Sequence, residues 1–373
     1  MKIIGNTRRR LDRRLAFAFT LLLSMVVAGC SPFYVLRAGY EEAKILSRRR
    51  PIAQVVADTT ISEVTREKLR LVLEARDFAH GSLGLKTGES YTTFAHLDSD
   101  TLAHIVSAAY QDRFVPYTWW FPIVGHVPYK GFFSLAKAER QAAKLQEKGL
   151  DTYVRPTSAF STLGWFNDPL VSSLLRYDSV SLASTVIHEL LHNTYYAPGQ
   201  AMFNESMAEF VGARGAIAFL CGRKGEDSDP CARAKADWRD EQVFGRFLDG
   251  LVQRLDSVYN DSSLARAEKL RKREVIFREG REEFVAAVQP QFEASSYAGF
   301  LSAPTNNATL ISRRLYYHRL DLFEEVFQAS GGDLRVTIDR ILEGARGNRG
   351  DPYAGVESVE ARYRSPSPAV PLP

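Results

Sequence analysis

Thirteen residues near the middle of the chain, Ser184-Thr185-Val186-Ile187-His188-Glu189-Leu190-Leu191-His192-Asn193-Thr194-Tyr195-Tyr196, constrain it more than any other stretch. Within them His188, Glu189 and His192 spell H-E-x-x-H. On an α-helix four residues advance about 6 Å and turn by about 40°, so both imidazoles leave one face. Two neutral imidazoles so spaced can each give a nitrogen to one Zn²⁺ at roughly 2.0–2.1 Å. Glu189 points to the side of that face, where it can reach water on such an ion without becoming a ligand. That is the place of a general base in metal-assisted peptide hydrolysis. A five-residue motif also arises by chance in an ordinary amphipathic helix, and three features weigh against that reading. Val186, Ile187, Leu190 and Leu191 make the rest of the segment apolar. Ser181 and Ser184 offer N-caps, and Ala197-Pro198-Gly199 offers a stop. A second helical stretch, Phe203 to Gly212, follows at once. It carries Glu205, with twelve residues between it and His192, placed to give the third ligand that a catalytic zinc needs beside one open position.

H-E-x-x-H followed by the Asn204-Glu205-Ser206-Met207-Ala208 helix resembles the gluzincin metallopeptidases. Further blocks resemble a bacterial putative-aminopeptidase lipoprotein family: Trp120 to Gly125, Pro128 to Phe133, Ser158 to Pro169 and Asn306-Asn307-Ala308. Together they span the chain from about residue 30 to 345. The resemblance implies a zinc peptidase with His188, His192 and Glu205 as ligands and Glu189 as base. It makes Ser158, Ala159, Phe160 and Ser161 the sheet edge that pairs with substrate backbone; a buried connecting strand is the other reading. It also implies an oxyanion donor from a later helix, Tyr316 or Tyr317, of which at most one can face the metal because neighbours on a helix diverge by about 100°. Tyr195 is a further candidate. Two departures stand out. Trp120 and His126 stand where many members carry cysteine, so a local disulfide is not expected. Glu209 is acidic at a position that usually is not, which leaves open which carboxylate ligates and makes Glu209 a candidate for holding a substrate ammonium.

The formal charge of +4 misleads. Residues 1–29 hold six Lys or Arg and one Asp; the remainder carries 42 basic and 43 acidic residues, and gives no support for a nucleic-acid partner. Those first residues read as an export signal. A basic segment, Arg8 to Arg14, precedes an apolar run from Leu15 to Gly29, which is shorter than the roughly 20 residues of a membrane span. Val27-Ala28-Gly29-Cys30 resembles a lipobox, which implies cleavage, acylation of Cys30 and anchoring to a bacterial envelope membrane; the alternative is an uncleaved anchor. Ser31 resembles outer-membrane sorting, with the chain facing the periplasm. Cys221 and Cys231 then remain, an even pair suited to a disulfide in an oxidising compartment.

Elsewhere, residues 33–80 read as helical, and the aromatic stretch 91–133 as short strands and packed turns. Ala136 to Lys148 reads as a helix and Thr152 to Arg155 as a strand. Residues 232–289 read as an antiparallel helical hairpin broken at Asn260-Asp261-Ser262-Ser263. Asp261 or Ser262 would cap its second arm, and Lys269 to Arg273 would form a solvated face. No G-x-S-x-G elbow, phosphate-cradling loop or long repeat competes.

The expectation is an α+β, mainly helical chain: a gluzincin-like zincin core, a small sheet and an added helical hairpin. Residues 1–29 are a lipoprotein signal peptide. Residues 30–347 form one metallopeptidase domain, in which 30–177 hold N-terminal helices and sheet, 178–220 the zinc helices and 221–347 the hairpin and C-terminal helices. Residues 348–373, rich in Pro, Gly and Ser, are a disordered tail. The function expected is zinc-dependent hydrolysis of peptides or proteins by an aminopeptidase. Nothing resembles the G-x-M-E-N segment of aminopeptidase N, so an envelope endopeptidase is an alternative. A non-catalytic scaffold is another, though it would have no need of Glu189.

Overall fold

The computed structural model describes residues 39–364, apart from 41–42, 100, 122–124 and 158–167. Helical residues 39–40 and 43–47 come first, followed by β1 (Arg50–Pro51), α1 (Ile52–Ala57) and α2 (Glu63–Gly81), so the helical stretch expected before residue 80 is divided. Asp58 makes the break, its carboxylate accepting from the Thr60 amide and hydroxyl, and Ser62 then caps α2 through the Thr65 amide. Arg48 and Arg50 of the basic run stay exposed, paired with Asp98 and Asp58.

The aromatic stretch breaks into β2 (Thr93–Ala95), β3 (Ala103–Tyr110), β4 (Trp119–Phe121), β5 (Gly125–Val127) and β6 (Tyr129–Phe132). After them come α3 (Leu135–Gln146), β7 (Leu150–Thr157) and β8 (Leu170–Val171). β3 is the centre of an antiparallel sheet ordered β6-β3-β7, with β7 paired from Ala103↔Thr157 to Tyr110↔Leu150. Ala138, Ala142 and Leu145 of α3 cover one face of this sheet at Val106, Ala108 and Leu150. β2 lies between β1 and β8 in a second sheet, and β4 and β5 form a ribbon in which Trp120 faces His126.

The remaining described chain is helical: α4 (Ser179–Thr194), α5 (Ala201–Lys224), α6 (Asp229–Tyr259), α7 (Arg266–Glu283), α8 (Gly299–Ser302), α9 (Asn307–Tyr317), α10 (Leu320–Ala329), α11 (Leu334–Gly347) and α12 (Pro352–Arg364). The fold is α+β and mainly helical. Among the described residues no helix is long and apolar enough to cross a membrane. The largest core joins α2, α4, α5, α10 and α11, and a separate aromatic core fills the hairpin of α6 and α7. Helical spacing predicts one apolar stripe on α6 from Val243, Phe247, Leu251, Val252, Leu255 and Tyr259; Val243 is half-buried and the other five are buried.

Three expectations need correction. Neither Asp261 nor Ser262 caps the second arm; Asp261 accepts from the Ser263 amide and hydroxyl to fold the turn, and α7 starts later, after Ala265. Arg273 is not on a solvated face. It is buried, because Asp151 on β7 supplies its counter-charge through bonds of 2.8 and 3.1 Å. Asp151 also accepts from the Asn307 amide, and the Asn307 side chain accepts from the Tyr259 hydroxyl, so sheet, hairpin and α9 meet at one buried polar joint. Finally, residues 352–364 are not a disordered tail. Val356 and Val359 of α12 are buried, and Gly355 crosses Gly344 of α11 so closely that a Cβ on Gly355 would lie 2.2 Å from the Gly344 carbonyl oxygen. The Pro- and Ser-rich composition behind the disorder expectation belongs to residues 365–373, outside those described.

Candidate metal centre and its cavity

Asp178, not Ser181 or Ser184, caps α4, its carboxylate accepting from the Ser181 amide at 2.8 Å. The helix ends at Thr194, and Gly199 takes a positive φ of 78° in the turn that follows. Asn204 clamps this turn from inside α5, donating to the Ala197 carbonyl at 2.8 Å and accepting from its amide at 2.9 Å. Farther along, α5 crosses α4 with almost no space between backbones. A Cβ on Gly212 would sit 2.8 Å from the Ser184 carbonyl oxygen and 3.1 Å from the His188 Cβ.

This crossing sets the ligand geometry. His188 and His192 are buried, and their Nε2 atoms stand 3.4 and 3.8 Å from the same Glu205 oxygen, Oε2. Donors around a tetrahedral ion with bonds of about 2.0–2.2 Å are about 3.3–3.6 Å apart. The first distance falls in that range and the second slightly exceeds it, so the three side chains are gathered closely enough to close on one small divalent cation. Glu209 lies on the other side of the His188 ring, 3.2 Å from Nδ1. A carboxylate there fixes the tautomer and orientation of a ligating imidazole rather than acting as a ligand itself.

The charges are strongly coupled. Burial opposes protonation of His188, but hydrogen bonds to Glu205 and Glu209 outweigh it and raise its pKa well above the usual range. Burial also raises Glu205, yet bonds from His188 and His192 prevail and hold its carboxyl far below the ordinary value. A metal ion competes with protons for these same lone pairs. Glu189 is shifted upward, chiefly by burial, with the two histidines opposing and Glu205 and Glu209 adding to the rise. Its Oε2 is buried without a hydrogen-bond partner.

A cavity of about 430 Å³ opens over His188, Glu189 and Glu205. Tyr316 enters its wall from α9, with its ring 6.1 Å from that of His188 and its hydroxyl accepting from Arg155 Nη2 at 3.2 Å. Tyr317 also borders the cavity but packs edge-on against Phe244 of the hairpin core, centroids 5.3 Å apart. Tyr195 is elsewhere, against Phe203. Burial, then the Glu205 charge, pushes the Tyr196 hydroxyl up to about 12, so it stays protonated near the centre. α6 contributes Asp237 and Glu241 to the wall, and a loop contributes Ser295 and Tyr297. Buried Asp240 holds that loop by accepting from the amides of Glu293, Ala294 and Ser295 at 2.9, 2.8 and 2.7 Å.

Ser158, Ala159, Phe160 and Ser161 lie outside the described residues, as does Cys30. Arg155, Pro156 and Thr157, which lead directly into that segment on the edge strand β7, do line the cavity. Cys221 and Cys231 are bonded, tying the end of α5 to the start of α6.

A family model described as putative aminopeptidase matches residues 33–348, most of the chain. The chain belongs to this aminopeptidase family. No curated protein and no solved structure gives a significant match. For this aminopeptidase-family chain, the sequence reading missed Arg155, Asp237 and Glu241 as cavity residues. Arg155 sits in a strand without a motif. Asp237 and Glu241 lie in a densely charged helical run where no local signal separates a buried carboxylate from its solvated neighbours.

Proposed function

We propose that the chain is a zinc-dependent aminopeptidase with a gluzincin-like core, anchored to the bacterial envelope through lipidated Cys30. Family membership supports peptide hydrolysis. The observation that carries the zinc reading is the convergence of two imidazole Nε2 atoms on one Glu205 oxygen beside the unpartnered carboxylate of Glu189. His188, His192 and Glu205 would hold the ion, with Glu209 orienting His188. A bound zinc would supply a Lewis acid that acidifies water and polarises the scissile carbonyl. Glu189 takes the proton of the attacking water on its free oxygen and returns it to the departing amine, a role favoured by its raised pKa. Tyr316, positioned by Arg155, donates its hydroxyl proton in a hydrogen bond to the carbonyl oxygen as negative charge develops there. The peptide backbone runs along β7 toward Ser158 to Ser161.

The test uses the full chain: metal content by elemental analysis, with cleavage of a mixed peptide pool read by mass spectrometry. One zinc per chain with losses confined to N-termini is expected. Glu189→Gln should lower turnover by about 10³-fold or more while leaving zinc content unchanged. Internal cuts would make the chain an endopeptidase, and a chain without zinc would sink the metal assignment.

A further inference from the structure

Two carboxylates in the cavity wall have a buried oxygen without a hydrogen-bond partner, Glu189 and Glu241. Proton transfer accounts for Glu189 and leaves Glu241 unexplained. Its acidic neighbours are engaged: Asp237 is bonded to Arg233 at 3.1 Å and accepts from the Ser295 hydroxyl at 3.2 Å, and Glu209 meets His188. Five carboxylates border the cavity (Glu189, Glu205, Glu209, Asp237 and Glu241) against the guanidinium groups of Arg155 and Arg233. With all five ionised, a divalent ion at the histidines would still leave one negative charge unbalanced. Buried carboxylates without partners are unfavourable, and one facing a cavity is satisfied when a ligand brings the counter-charge. Trp238, Tyr297 and Tyr317 border the same cavity, and aromatic faces favour ammonium groups.

We infer that Glu241 receives a protonated amine of the substrate, either its N-terminal ammonium or a basic side chain. The inference rests on the peptidase reading for its substrate class, and it gives the hairpin helix α6 a part in substrate choice. A Glu241 that served only packing would be replaced equally well by Gln, which keeps shape and hydrogen bonding and loses only charge.

The test measures binding rather than turnover. The full chain carrying Glu189→Gln, equilibrated with zinc, is titrated calorimetrically with Ala-Ala-Ala amide, its N-acetyl form and N-acetyl-Lys-Ala-Ala amide. The free-amine peptide should bind about 10-fold tighter or more than the acetylated neutral one. Adding Glu241→Gln should remove most of that preference while zinc content holds and the melting temperature does not fall. If the acetylated Lys peptide regains the affinity through Glu241, the cation is a side chain; if it does not, the cation is the N-terminal ammonium. Equal binding of all three peptides, or a preference that survives Glu241→Gln, overturns the inference. Cleavage by the unaltered chain is scored separately. A Glu241-dependent preference without cleavage refutes the peptidase and keeps the cation site, and cleavage without the preference does the reverse.

Discussion

Tyr316 and Tyr317 are adjacent in sequence yet serve different neighbours, one meeting His188 and Arg155, the other the aromatic hairpin core. That divergence was legible from the helical turn alone; which of the two meets the histidines was not, because it depends on how α9 is rotated against α5 and α6. Glu209 likewise could be read as acidic and close, while its place behind His188 Nδ1 required the crossing of α4 and α5. Glu241 has a thermodynamic consequence of its own. Burial, then the like charge of Glu209 and Asp237 and to a lesser degree Asp240, raises its pKa well above the usual Glu range, with His188 opposing. Folding thus favours the protonated acid. The stability it contributes is complete below the ordinary Glu pKa of about 4.3 and is lost as pH rises through the folded value. In the peptide-free chain, Glu241→Gln should raise the melting temperature at pH 8 by about 2 °C or more and change it less at pH 4. Thermal melts at the two pH values check this; equal shifts at both would show that Glu241 is not buried as a strained acid.

At the level of helices, the motif segment and its successor were recognisable because ligand spacing and apolar spacing coincide on α4. The α6–α7 pairing was recognisable because one apolar stripe spans several turns. The starts of the helices were harder: several Ser and Asp residues compete within three positions, and tertiary contacts choose among them, as at Asp178. Closeness of approach leaves a trace only as glycine. Gly212→Ala should cost about 1–3 kcal/mol, because the new methyl meets the Ser184 backbone, and it should weaken metal binding by displacing His188. Gly222, on the same helix with nothing within 4 Å of an added Cβ, is the control. Gly222→Ala should be neutral or stabilising by about 0.5–1 kcal/mol. Chemical denaturation and zinc titration of both variants give the comparison, and similar losses at both positions would remove the tight crossing from the account.

Over the whole molecule, helices α4 and α5 are enclosed from a direction that composition concealed. α12 lies beyond the residues matched to the family, yet its Tyr353 hydroxyl is 2.6 Å from the Ser206 hydroxyl, and its ring lies 5.1 Å from that of Phe203, both on α5. Ending the chain at residue 350 would uncover that face and remove the buried Val356 and Val359, each worth about 1.5–3 kcal/mol. The shortened chain should melt well below the full one and lose zinc affinity with it. An unchanged melting curve would mean that α12 adds nothing to the core. The same whole-chain view applies to the wall opposite in sequence, the loop held by Asp240. Residues 293–295 belong to no helix or strand, and such segments ordinarily trade their amide hydrogens with water quickly. Here three consecutive amides point at one buried carboxylate, so they should keep their hydrogens far longer than their neighbours in deuterium exchange. Asp240→Asn, with one acceptor oxygen in place of two, should release them together. Three slow amides in an otherwise fast loop would mark one wall of the cavity as preformed before any peptide arrives.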